Sequence, residues 1–217
     1  MTSFDTGQIA QRFLPSRHHY WYCLGKLTLD PLYEIVCTAL RNERAPLLDV
    51  GCGLGLLLHC LRASGCAAPY VGVDNDGAKL DLARRAASGL SAARFELCDL
   101  SRAFPAHRGS VALLDVLQYL EPDEQQALLR RATQCLTPDA TLIMRGGLDD
   151  GSWRASLTRL ADRFGHAVRW MGPSFKAQPK PEELAAALQS HGLRADFRPA
   201  WGRTPFNNWL ITARLAP

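Results

Sequence analysis

The run from Leu47 to Gly55, Leu-Leu-Asp-Val-Gly-Cys-Gly-Leu-Gly, constrains the fold more than any other part of the chain. A short apolar strand leads into three glycines at alternate positions, and a helix-compatible stretch follows. Strand, glycine turn and helix in that order make an α/β unit whose backbone amides a ligand can approach closely. From residue 46 onward short aliphatic runs alternate with longer amphipathic ones, so a largely parallel sheet is expected. Strands are predicted at 46–50, 70–74, 94–98, 111–116, 141–145, 195–201 and 209–214. Helices are predicted at 55–64, 76–87 and 122–136, the last started by Pro122, Asp123 and Glu124. After the fifth strand, 152–164 reads as a helix, 172–180 as a turn-rich stretch and 181–191 as a second helix ended by Gly192. Residues 202–208 are too few for a helical crossover, so the last two strands should pair as an antiparallel hairpin.

Composition removes several alternatives. A chain of 217 residues with 47% hydrophobic and 21% charged residues can bury a full core as one domain, without disorder or a fibrous repeat. Its longest strongly apolar stretch, 54–61, is interrupted by His59 and falls far short of the roughly 18 to 20 residues that cross a bilayer. Residues 1–13 carry Asp5, Gln8, Gln11 and Arg12 with no apolar run before a cleavage site, so a cytoplasmic protein is expected. The seven cysteines are scattered without a C-x-x-C pair, which fits packing residues better than disulfides or a metal site. A net charge of +4 spread along the chain argues against a dedicated nucleic-acid binder.

Asp74 lies 23 residues beyond Gly51, at the carboxyl end of the second predicted strand, where a carboxylate can accept both hydroxyls of a ribose. Together the glycines and Asp74 point to an adenosine-type nucleotide. The dinucleotide fingerprint G-x-G-x-x-G would need glycine at Leu56; here the third glycine is Gly55, and Asp49 stands inside the strand. Blander roles exist for each residue: a plain tight turn for Gly51, Gly53 and Gly55, helix caps for Asp74 and Asp99, and for Asp49 the orientation of the loop's amides.

The pattern D-x-G-x-G-x-G from Asp49 to Gly55 resembles the first motif of class I (Rossmann-like) S-adenosylmethionine-dependent methyltransferases. The resemblance implies an α/β fold with a seven-stranded, mostly parallel sheet of order 3-2-1-4-5-7-6, the last strand antiparallel and helices on both faces. The methyltransferase domain would span 46–217, with 1–45 a helical or lid segment. It also implies a cofactor site: the loop glycines with Asp49, then Asp74 and Asn75 for the ribose, and Asp99 and Leu100 near the adenine. Asp115 and Gln118, in the segment 114–119, would line the methionine end. No metal ligand is implied.

The acceptor is expected beyond the carboxyl ends of the fourth and fifth strands, near Tyr119 and Arg145. Aromatic Tyr20 and Tyr22 before the first strand would wall a planar acceptor, and Asn207 and Asn208 in the final hairpin offer polar contacts. His18 and His19 are the candidate general bases for a phenol whose pKa near 10 leaves it a poor nucleophile at neutral pH. The strings LPSRHHY at 14–20, GKLTLDPLY at 25–33 and WGRTPFNN at 201–208 are similar to those of methyltransferases encoded with aryl polyene and xanthomonadin-type bacterial pigments. That likeness implies methylation of a phenolic head group, with room for an acidic acyl carrier protein facing Arg12, Arg17, Lys26, Arg198 and Arg203. A methyltransferase of another small molecule, or a non-catalytic cofactor-binding partner in pigment biosynthesis, would share the same cofactor motifs.

Overall fold

The computed structural model describes residues 4–157, 176–202 and 204–216. Three helices precede the sheet: α1 (Thr6–Gln11), α2 (Arg17–Leu29) and α3 (Leu32–Ala39). Asp5 caps α1 by accepting the Gln8 amide at 3.0 Å, and Ser16 stands at the N-cap of α2.

The strands are β1 (Leu47–Val50), β2 (Tyr70–Asp74), β3 (Ala93–Leu97), β4 (Ser110–Leu114), β5 (Leu142–Gly147), β6 (Leu193–Pro199) and β7 (Asn208–Leu215). Between them run α4 (Leu56–Ala63), α5 (Gly77–Ala86), a short 3₁₀ turn (Leu117–Tyr119), α6 (Pro122–Gln134) and α7 (Pro181–Ser190). The sheet has the expected order β3-β2-β1-β4-β5-β7-β6, with β7 antiparallel to both of its neighbours.

Strand periodicity sorts the side chains between two cores. Leu47, Tyr70, Ala112, Ile143 and Leu210 face α1 to α5 on one side of the sheet. Leu48, Val50, Val111, Leu113, Leu142 and Met144 face α6 and α7 on the other. Helix starts follow the local chemistry: Asp76 caps α5 through the Ala78 and Lys79 amides, and Glu121 and Glu124 form a capping box around Pro122.

Several boundaries differ from the sequence expectation by one or two residues, β6 for example running 193–199 instead of 195–201. The fourth strand stops at Leu114 instead of 116, because Asp115 takes a left-handed conformation with φ 58° and turns the chain. The helix expected at 152–164 is seen at 153–157; residues 158–164, and residues 172–175 of the turn-rich stretch, lie outside the described residues. All seven cysteines carry free thiols. Among the described residues no helix is long and apolar enough to cross a membrane.

Candidate active site

The loop after β1 is fastened to β2 at its backbone. Gly51 and Cys52 donate their amides to the Val73 carbonyl at 2.8 and 3.0 Å. Gly53 donates instead to the side chain of Asp74, at 2.8 Å, while the other oxygen of Asp74 accepts the Asp76 amide at 3.0 Å. The cap of α5 is Asp76, so Asp74 serves the loop, and its half-buried carboxylate keeps unused lone pairs beside it. Gly51 has φ +72°, and a Cβ there would meet Val116 Cγ2 at 2.9 Å, so glycine is required where the loop passes the end of β4. A Cβ on Gly53 would meet nothing within 4 Å, which leaves open space over the loop. Gly55 forms the turn into α4.

Asp49 does not orient the loop amides as the sequence suggested. It is buried on the α4 side of β1 and accepts the Tyr70 hydroxyl at 2.5 Å. Burial pushes its carboxyl up to about 7, against the hydrogen bond from Tyr70.

Leu97 stands beside Asp74 in the β2–β3 register and is 66% exposed, an apolar platform at the strand end that sequence reasoning passed over. Asn75 is exposed next to Asp74. Asp99 is exposed and closes a turn on Ser101, accepting both its amide at 3.0 Å and its hydroxyl at 2.7 Å, while Leu100 is half-buried. These bonds hold Asp99 below the usual carboxylate range.

At the carboxyl ends of β4 and β5 four charges meet. Arg145 Nη1 reaches both oxygens of Asp115 at 2.5 Å, and Nη2 reaches Asp30 at 2.8 Å. Lys26 lies 2.6 Å from the other oxygen of Asp30 and 3.5 Å from Asp115. Burial raises the Asp115 carboxyl, but Arg145 and Lys26 outweigh it and the net shift is downward. Gln118 and Tyr119 follow in the 3₁₀ turn, both half-buried, with the Gln118 side chain packed near Gly146 of β5. Asp30 was missed in the sequence, where it stands only inside the 25–33 string; its side chain also accepts the amide of Leu32, the first residue of α3, at 3.0 Å.

Helix α2 carries His18, Tyr22 and Lys26 at intervals of four, on one stripe ending at this charge cluster. His18 and Tyr22 are exposed, and His18 is two turns, about 12 Å along the axis, from Lys26. His19 is rotated off that stripe and its Nδ1 lies 2.7 Å from Ser16 Oγ. Tyr20 packs against the core beside Trp21. Tyr33 of α3, also unforeseen, has its phenol driven well up, by burial first and then by Cys60, Tyr22, Asp49 and Asp115.

Asn207 is buried in the hairpin, donating to the Leu148 carbonyl at 2.8 Å and accepting the Trp209 indole at 3.3 Å. Asn208 is buried opposite Gly147. Of the basic residues expected to face an acidic partner, Lys26 is in the charge cluster, Arg198 pairs with Asp196 at 2.6 Å, and Arg12 donates to the Ala86 carbonyl at 3.4 Å. Arg17 is exposed and Arg203 lies outside the described residues.

Residues 47–139 match the model of a methyltransferase domain family. The chain is 33% identical over 156 residues to carboxy-S-adenosyl-L-methionine synthase of Pseudomonas fluorescens (strain SBW25), an alignment covering 66% of this chain and 62% of that protein. The chain therefore spans under two thirds of the length of this curated relative. Among solved structures, an O-methyltransferase family protein from Burkholderia thailandensis superposes with TM-score 0.71 at 18% identity, covering 98% of this chain and 64% of the other. The 1,6-didemethyltoxoflavin-N1-methyltransferase of the same organism, solved with S-adenosylhomocysteine, gives TM-score 0.67 at 17% identity, covering 96% and 88%.

Residues 47–139 thus match a methyltransferase domain, and the fold is shared with methyltransferases of known structure, one of them solved with S-adenosylhomocysteine. The residues present fit that group: a carboxylate beside the loop for a diol, open space at Gly53 and the exposed face of Leu97 for an apolar ring.

Proposed function

We propose that this chain moves a methyl group from S-adenosylmethionine to a small aromatic acceptor bearing a phenolic hydroxyl. The observation that carries the proposal is the Gly53–Asp74 bond, which readies a cradle for the cofactor at the end of β1 and β2. The bound cofactor supplies an already activated methyl group, so the protein has to position the acceptor and keep water away.

Gly51, Gly53, Gly55 and Asp74 would hold the nucleoside part, with Asn75, Asp99 and Leu100 bordering its base and Asp49 buttressing β1. The turn at Asp115 and Gln118 would border the methionine end. Tyr22, Tyr119 and Arg145 bound the acceptor side, with Tyr20 and the Asn207–Asn208 hairpin corner supporting its walls. His18 is the better general base of the adjacent pair, because it shares the stripe of Tyr22 and Lys26; His19 is engaged by Ser16. The likeness of the 14–20, 25–33 and 201–208 strings to pigment-cluster enzymes makes the aryl head group, free or as a carrier-protein thioester, the first acceptor to try.

A second reading follows from the curated relative's name: carboxylation of the cofactor itself, in which a carboxylic acid in the assay gives up its carboxyl group and takes the proton displaced from the cofactor. Methyl-labelled cofactor incubated with hydroxyaryl acids, free and carrier-loaded, separates the two when products are mapped by mass spectrometry. Label on the aryl product supports methyl transfer. A carboxylated cofactor with no labelled aryl product overturns it, and cofactor binding with neither product points to a non-catalytic partner. Turnover unchanged at saturating substrate in both His18→Ala and His19→Ala would remove the histidines from the mechanism.

A further inference from the structure

Four charged side chains from four different elements meet at the acceptor end of the sheet: Lys26 from α2, Asp30 before α3, Asp115 after β4 and Arg145 in β5. Their formal charges cancel. The deepest is Arg145, with a side chain 5% exposed, whereas Asp115 is 23% and Lys26 27% exposed. Arg145 spends Nη1 and Nη2 on the two carboxylates, and its buried Nε has no hydrogen-bond partner among the described residues.

Asp115 is fixed from both ends. Its amide donates to the Arg145 carbonyl at 2.7 Å, its carboxylate takes the guanidinium of the same residue, and the left-handed φ of 58° sets the direction between them. An anion arriving here would meet two carboxylates already on the available cations. It could reach Arg145 only by displacing one of them, and buried like charges repel strongly.

We infer that Asp30 and Asp115 are specificity-determining residues: by masking Arg145 and Lys26 they make the acceptor side of this site admit an uncharged group and reject an anionic one. The inference rests on the methyl-transfer reading for the chemistry of the acceptor. It narrows that reading to aryl groups whose acid function is esterified, amidated or absent at this end, and it disfavours a carboxylated cofactor.

Benzamide and benzoate, alike in shape and different in charge, are the probes, and ligand-observed NMR on the full chain loaded with S-adenosylhomocysteine reads their binding. Asp115→Asn and Asp30→Asn are the variants, because asparagine keeps the left-handed turn at 115 and an acceptor for the Leu32 amide at 30. The expected result is a wild-type preference for benzamide of roughly tenfold or more, and a benzoate gain of similar size in each variant. Arg145→Met added to Asp115→Asn should abolish the gain.

Wild-type binding of benzoate as tight as benzamide overturns the inference. So does a folded variant with no gain for benzoate. If Asp115→Asn does not fold, Asp30→Asn decides, since it uncovers the same guanidinium. Failure of wild type to bind S-adenosylhomocysteine in a calorimetric titration sinks the methyl-transfer reading instead; the two probes can then still be compared on the protein alone.

Discussion

Asp74 accepts the Gly53 amide at 2.8 Å, joining the glycine loop after β1 to the end of β2. The same carboxylate holds the Asp76 amide with its other oxygen, so it sets the loop's position before any ligand arrives. Asp74→Asn keeps the size but loses the charge, and charge-assisted bonds contribute about 1.5–3 kcal/mol. S-adenosylhomocysteine affinity should fall roughly 10- to 100-fold in a calorimetric titration, with the thermal midpoint little changed. Unchanged affinity would place the nucleoside elsewhere.

Gly51 and Val116 make the second contact across the site. Alanine at 51 would be strained by the left-handed backbone and would press on Val116 at 2.9 Å. The combined cost should be about 1–3 kcal/mol of stability, accompanied by weaker cofactor binding. Val116→Ala should recover the part due to the clash and none of the part due to φ. Chemical denaturation of the two single variants and the double variant separates these contributions.

That the glycine loop and Asp74 belong together was legible because these residues are close in sequence and their chemistry is local: glycines between a strand and a helix, and an acid one strand later. Strand order came with the resemblance, since periodicity gives elements without neighbours. The charge cluster was not legible as a cluster. Asp30 and Arg145 are 115 positions apart, and no periodic pattern relates a residue before α3 to one in β5. Lys26 and Arg198 read in the sequence as free cations for a partner, whereas each has an acid within 2.6 Å. The left-handed turn at Asp115 was equally hidden, because aspartate marks such turns only weakly.

Asp49 carries a pH signature of its own. Its carboxyl rises from 3.8 to about 7, so the folded chain holds a proton that the unfolded chain releases between those values. The resulting stability is complete below about 4 and is lost as pH rises through about 7, a loss on the order of a few kcal/mol. Asp49→Asn keeps a partner for the Tyr70 hydroxyl and cannot ionise. Its stability relative to wild type should climb between pH 4 and 8 in urea titrations. A parallel pair of curves would mean that Asp49 is solvated as an ordinary carboxylate.

His59 works in the opposite direction over part of the same range. It is 3% exposed on α4, edge-on to Phe13 at 5.7 Å, and among the described residues neither ring nitrogen has a hydrogen-bond partner. Burial, assisted by the Arg12 charge, lowers its pKa from 6.5 to about 4. Between these values the unfolded chain binds the extra proton, so this contribution is present above about 6.5 and is lost as pH falls through about 4. In wild type the two slopes oppose each other from about pH 4 to 6.5, and the stability curve there should be shallow. His59→Leu removes one slope together with two unsatisfied buried nitrogens. It should stabilise the protein by about 1–3 kcal/mol near pH 6 and leave a curve that falls steadily toward pH 7. Asp49→Asn alone should instead steepen the acid loss, and the double variant should be flat over the window. Wild-type, single and double variants measured by urea titration at half-unit pH steps test this, because a double variant that retained either slope would assign that slope to a different group.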